Sequence, residues 1–211
     1  ILFDTWKIGL EDLFIETLEK VVDVKDVKAV VVHHMEQDHS GVLPRILELN
    51  RDVEVWCSPV STRMLKSFYG LSGKIKPVRD GEEREFGGRR IKFINTPWLH
   101  WPETIMSFLV DEGVLFSCDA FGGYSIPSLY DEDDREISEY LGFVRKYIVT
   151  VIGKYFNYIL KGVEKLEKSN IKPKIIAPAH GMIFREKPGL IVDFYTNIAR
   201  GGFEKNKVVV V

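Results

Sequence analysis

Thiol chemistry is nearly missing from this chain. Two cysteines, Cys57 and Cys118, occur in 211 residues, too few and too loosely placed for a disulfide framework or a thiolate metal site. The simplest reading is reduced thiols in a cytoplasmic protein. No apolar run approaches the roughly 20 residues of a membrane-spanning helix. No signal peptide is visible. One-sided charge is lacking as well. The 29 basic and 31 acidic side chains nearly balance, which leaves no electrostatic footprint for nucleic acid or an anionic membrane. Internal repeats, low-complexity tracts and interdomain linkers are absent too. What remains is globular: aromatics make up 12%, aliphatics are spread throughout, and the length suits one ordinary or large domain with a sizeable core.

The chain is organised around one stretch. A β-branched run from Val27 to Val32 ends abruptly in His33-His34-Met35-Glu36-Gln37-Asp38-His39-Ser40-Gly41. A strand delivers the backbone stiffly to a sheet edge, and the loop after it is where a rigid scaffold displays chemistry. His34, Glu36 and Asp38 fall at i, i+2 and i+4, so an extended or gently turning backbone aims all three to one side. One such residue after a strand is ordinarily just solvated. Four candidate ligands within six residues would crowd charge and desolvate polar groups for no return. Partners stand at three further strand-like ends: His100 after 91–94, Asp119 after 114–117 and His180 after 174–177. Four strand ends presenting His, Asp or Glu describe an α/β sandwich that assembles a metal centre from distant sequence.

Four motifs occur in order across nearly the whole chain: His-x-Glu-x-Asp-His-x-Gly, Leu-His-Trp-Pro, Ser-x-Asp-Ala-Phe-Gly and Ala-Pro-x-His-Gly. Together they resemble the diiron domain of flavodiiron proteins. The resemblance implies a metallo-β-lactamase-like αββα sandwich with the metal site at strand ends between the two sheets. Hydrolytic relatives of that fold carry a second histidine where this chain has Glu36. Carboxylate-rich N/O ligation without thiolate suits redox iron or manganese better than structural zinc, whereas zinc hydrolases lean on imidazole to activate a water. Carried over residue by residue, the resemblance assigns His34, Glu36 and His100 to one iron and Asp38 and His180 to the other, with Asp119 bridging. His39 aligns with a histidine that ligates in some members and stands behind the ligands in others, so its role stays open. His33 has no family role and is read as structural or exposed.

The resemblance further implies an oxidoreductase that reduces O2 to water, NO to N2O, or both. Electrons would come from FMN on a flavodoxin-like domain in a head-to-tail homodimer, or from a separate flavoprotein or rubredoxin-type donor. This chain itself shows no Gly-rich or Ser/Thr-rich loop for a flavin phosphate. Residues 1–205 are expected to form the diiron domain without its first strands, because Ile1 to Thr5 reads as a strand already in progress. Residues 206–211 read as the start of a flavodoxin-like domain or as a tail. Two alternatives are a non-enzymatic diiron oxygen-binding or sensing protein, and a zinc-dependent hydrolase of the metallo-β-lactamase type. Glu36 argues against the second. Zinc or manganese could replace iron as prepared.

The remaining elements follow from periodicity and turn chemistry. Leu10, Leu13, Phe14, Thr17, Leu18 and Val21 mark a helix face. A helix is expected over 42–49, where Pro44 is tolerated in the first turn. Another is expected to be capped by Ser61 and to run to about Tyr69. Strands are expected at 53–57, 75–78, 86–94, 106–110 and 114–117. The run 131–134 reads as a solvated acidic lead-in to a helix near Ile137. Residues 143–168 read as one long helix or two abutting helices, with a β-branched run and Gly153 in the middle. The family often places an aromatic hydrogen-bonding residue from this helix near the metals. Tyr147 and Tyr155 are the candidates, although their helical spacing points to core packing. Trp98, Trp101 and Phe121 flank the proposed ligands, either walling a small dry pocket for a diatomic gas or filling the core beneath the loops.

Overall fold

The computed structural model describes residues 1–202. The strand or tail expected at 206–211 lies outside the described residues. Strands β1 (Leu2–Phe3), β2 (Ala29–Val32), β3 (Glu54–Cys57) and β4 (Ile75–Pro77) form one sheet in that order, each pair parallel. Strands β5 (Glu83–Phe86), β6 (Arg89–Asn95), β7 (Ile105–Leu109), β8 (Val114–Cys118) and β9 (Ile175–Pro178) form the second. Its pairs are antiparallel as far as β8, and β9 then joins β8 in parallel. Strands β6, β8 and β9 therefore run the same way, and their carboxyl ends share one edge.

Alternate residues of a strand face opposite sides, and here both sides are covered. In β2, Val30 and Val32 face the helices α1 (Glu11–Glu19), α3 (Leu43–Leu49) and α4 (Pro59–Tyr69) through Phe14, Leu43, Ile46 and Leu65. Val31 faces the other way, into a middle layer with Ile91, Phe93 and Ile105 of the second sheet. This double burial is why all four residues of β2 are apolar. On the far side, Ile94, Met106, Phe108, Leu115 and Ile176 pack against α5 (Asp134–Tyr147), α6 (Phe156–Lys168) and α7 (Pro188–Ala199). The layers are helix, sheet, sheet, helix: the expected αββα sandwich.

Three local expectations need correction. The fourth helix starts earlier than Ser61, because Ser58 is the cap: its hydroxyl accepts from the Ser61 N–H at 3.1 Å. Pro59 then occupies the first helical position, where its missing N–H costs nothing. The 143–168 segment is neither one helix nor two that simply abut. Helix α5 starts at Asp134 and ends at Tyr147, a π-helical turn covers Ile148–Ile152, a 3-10 turn covers Gly153–Tyr155, and α6 follows. Asp131, finally, is not solvated. It is fully buried and accepts from the backbone N–H groups of Arg185, Glu186 and Lys187 at 2.8, 3.0 and 2.7 Å. Only the rest of that acidic run is exposed, with Asp133 capping α5 through the N–H groups of Arg135 and Glu136.

Candidate metal centre

The carboxyl ends of β2, β6, β8 and β9 deliver the predicted residues to one place. After β2 the chain stays extended through Glu36 and then closes into a short helix, α2 (Gln37–Ser40), which carries Asp38 and His39. The expected gentle turn is thus a helical one. Gly41 ends it where a Cβ would sit 2.4 Å from the Ile8 backbone nitrogen. The loop after β6 brings His100. At the end of β8, Cys118 adopts a left-handed φ of 57° and turns Asp119 inward, while the Ser117 hydroxyl braces the loop by donating to the Ala120 carbonyl at 2.6 Å. His180 follows β9.

Two donor sets result, one on each side of Asp119. On the first side, Glu36 Oε2 lies 3.3 Å from both His34 Nε2 and His100 Nε2. Asp119 Oδ2 lies 3.8 and 3.7 Å from the same two nitrogens. On the second side, His180 Nε2 lies 3.2 Å from Asp38 Oδ2 and 3.3 Å from Asp119 Oδ1. His39 Nε2 lies 3.8 Å from Asp38 Oδ2 and 3.4 Å from Asp119 Oδ1. Donor atoms held about 2.0–2.2 Å from one ion lie about 3–3.5 Å apart around it. The shorter separations in both sets, 3.2–3.4 Å, have that size, and those of 3.7–3.8 Å lie just beyond it. His39 Nε2 and Asp38 Oδ1 are buried without a hydrogen-bond partner, a state that burial of polar atoms normally forbids and that an ion would relieve. A cavity of about 560 Å³, walled also by Tyr124, Ile126, Tyr147 and Thr150, opens onto Glu36, Asp38, His100, Asp119 and His180.

The family model described as ODP family beta lactamase matches residues 1–181. The chain belongs to that family. It is 31% identical over 99% of its length to a nitric oxide reductase from Moorella thermoacetica, covering 52% of that protein. It is 31% identical over 87% of its length to a rubredoxin-oxygen oxidoreductase from Megalodesulfovibrio gigas, covering 46% of it. A point variant of a flavo di-iron protein from Thermotoga maritima superposes with a TM-score of 0.91 at 45% identity, over 96% of this chain and 50% of that one. The chain thus spans about half the length of these relatives. In this member of the ODP family the six predicted donors, His34, Glu36, Asp38, His100, Asp119 and His180, converge with His39.

Two carboxylates behind the histidines escaped the sequence reading. Glu103 is 1% exposed, and its Oε1 accepts from His34 Nδ1 at 2.7 Å and from the Met35 N–H at 3.0 Å. Asp4 Oδ2 lies 3.3 Å from His39 Nδ1. A metal-binding imidazole generally donates its other N–H to such a group, which fixes ring and tautomer. That requirement was the signal available for Glu103, which stands three residues beyond His100. His33 is structural rather than exposed, buried against Asp4 and Ser107. Tyr147 does more than pack. Its hydroxyl donates to Asp119 Oδ1 at 2.8 Å from the last turn of α5. Tyr155 instead stacks on Trp98 at 5.4 Å. Trp101 stands edge-on to His34 at 4.9 Å, and Phe121 packs into the core against Tyr195.

The electrostatics describe a set that shares protons when no cation is bound. Burial pulls the His34 imidazole down, but hydrogen bonds to Glu103 and Glu36 outweigh it and lift the pKa to about 9. Hydrogen bonds to Asp119 and Asp38 raise His180 to about 9 against burial. Burial opposes ionisation of Asp119, yet His180 and His39 hold it well below the usual carboxylate range. Glu36 is lowered chiefly by His34, and Asp38 by His180. His100 is lowered by burial. Positive charge is what this cluster demands.

Proposed function

We propose that this chain holds two iron ions and is the metal-bearing portion of an oxidoreductase that reduces O2 to water, NO to N2O, or both. The observation that carries the reading is Asp119, whose two oxygens face two separate donor sets while a carboxylate, Glu36, stands in the first set. In this reading His34, Glu36 and His100 would hold one ion, Asp38, His39 and His180 would hold the other, and Asp119 would serve both. The unpartnered His39 Nε2 supports its inclusion. The thiolate-free N/O set favours redox iron or manganese over structural zinc. When bound, the ions supply electrons and open positions for a diatomic gas.

The chain's own groups prepare that chemistry. Glu103 and Asp4 orient His34 and His39 from behind. The Tyr147 hydroxyl fixes the Asp119 carboxylate and lines the cavity, where burial and Asp119 hold its proton firmly. Trp101 covers the His34 ring on the side of the His100 loop. Full reduction of O2 takes more electrons than two ferrous ions supply, so a donor is required. The relatives' names point to a rubredoxin-type or flavin-bearing donor, the latter as FMN on a flavodoxin-like domain or separate flavoprotein. A head-to-tail homodimer belongs to the same proposal. Residues 1–205 form the metal-bearing unit in this reading. Among the described residues no helix is long and apolar enough to cross a membrane.

Anaerobic reconstitution with ferrous ion, followed by rapid mixing with O2 or NO, tests the proposal. One stoichiometric oxidation per metal pair is expected without any added donor. Zinc uptake in preference to iron, with hydrolysis of a lactam and no reaction with either gas, would replace this reading with the hydrolase.

A further inference from the structure

His33 is directed away from both donor sets, yet it is 1% exposed. It sits at the seam between the two sheets. Its backbone N–H donates to Asp4 Oδ1 at 2.7 Å, and its Nδ1 lies 2.9 Å from Asp4 Oδ2. Its Nε2 lies 2.8 Å from the hydroxyl of Ser107 on β7, in the opposite sheet. Its carbonyl accepts from the Ile105 N–H at 3.0 Å, and Phe3 stacks on its ring. Asp4 Oδ2 also receives His39 Nδ1 at 3.3 Å. One carboxylate oxygen thus serves two imidazoles.

That sharing dictates where the hydrogens are. An ionised carboxylate only accepts, so both Nδ1 atoms carry a hydrogen. His39 Nε2, 3.4 Å from Asp119 Oδ1, is then the nitrogen left to face an ion, and His33 Nε2 pairs with the Ser107 hydroxyl. Asp4 is one residue beyond the short strand β1, has a left-handed φ of 57°, and is tied to β2 by its backbone N–H, which donates to the Val31 carbonyl at 2.8 Å. His33 grips the carboxylate at both oxygens.

We propose that His33 is a positioning residue for the second ion position, acting through Asp4 on the tautomer and tilt of His39. The first position has separate support, because His34 has its own buried carboxylate in Glu103. The inference rests on the reading that the two donor sets hold ions.

Two conservative variants separate the contacts. The amide nitrogen of Asn occupies roughly the place of Nδ1 and still reaches Asp4. The longer Gln places its amide near the position of Nε2 and reaches Ser107 instead. Anaerobic titration of ferrous ion into metal-free protein is expected to show about two ions per chain for wild type and His33→Asn. For His33→Gln the first ion should bind within about 3-fold of wild type and the second about 10–100-fold more weakly, the range for loss of support behind a ligand. In zinc-loaded, 15N-labelled protein, the His39 Nε2 resonance should read as metal-bound in wild type and His33→Asn, and as a tautomer mixture in His33→Gln. Equal binding of the second ion by both variants, or equal weakening of both positions in His33→Gln, would overturn the inference. Fewer than two ions in wild type would instead defeat the two-ion reading itself.

Discussion

Glu36 and Asp119 carry the chemical distinctions that matter most at the level of single residues. Replacing Glu36 with histidine exchanges a hard carboxylate for an imidazole, and the preference should move from iron toward zinc. The iron-to-zinc ratio of protein from cells supplied with both ions is the measurement. An unchanged ratio would remove Glu36 as the selectivity determinant. Glu103→Gln keeps the shape behind His34 but removes the charge, and the first ion should loosen about 10–100-fold, read by competition with a chromogenic chelator. Protons compete with the ions throughout. His34 and His180 are raised to about 9, above an unperturbed value near 6.5, so both are protonated in metal-free protein at pH 7. Their contribution to metal-free stability is complete below about pH 6.5 and is lost as pH rises through about 9. Burial opposes it, but the groups around His39 raise that imidazole well above its ordinary value too. Ion binding needs all three free nitrogens, so affinity should climb as pH rises, with release of about three protons per chain at pH 7. Calorimetry in buffers of different ionisation enthalpy measures that release. No proton release would contradict the charge balance described for the cluster.

At the level of elements, the strand ends were legible and the structures behind them were not. The apolar run 27–32, the motif spacing and the strands expected at 106–110 and 114–117 place the donors because strand periodicity is a local signal. Glu103, Asp4 and the tyrosine contact with Asp119 were hidden because they depend on which loops meet across the two sheets. A tyrosine at helical spacing reads the same whether its hydroxyl is free or bonded to Asp119. Asp131 misled for the opposite reason. Its neighbours Glu132, Asp133 and Asp134 are solvated, and nothing in an acidic run marks the one member that folds inward. Its carboxylate holds three N–H groups of the segment leading into α7. Asp131→Ala leaves those three part-buried N–H groups without their acceptor, and a loss of about 2–4 kcal/mol is expected, read by denaturant melts at fixed slope. A change below about 0.5 kcal/mol would show that water replaces the carboxylate without cost.

Across the whole molecule, two sheets built from separate halves of the sequence meet at one edge, and the donors come from both. His34, Glu36, Asp38 and His39 follow the first sheet, while His100, Asp119 and His180 follow the second. Any slip between the sheets would therefore break both donor sets at once, which is why the buried contacts at their seam sit directly behind the cluster. Gas reaction and electron supply should separate in this chain: one oxidation without a donor, and sustained turnover with NADH only when a flavoprotein is added. Sustained turnover by the chain alone would mean that it holds its own electron relay. The most direct measurement is anomalous diffraction at the iron edge from crystals of iron-loaded protein. Two peaks are predicted, one on the Oδ2 side of Asp119 among His34, Glu36 and His100, the other on the Oδ1 side among Asp38, His39 and His180. A single peak, or peaks farther than about 2.5 Å from the Asp119 oxygens, would contradict a bridged pair.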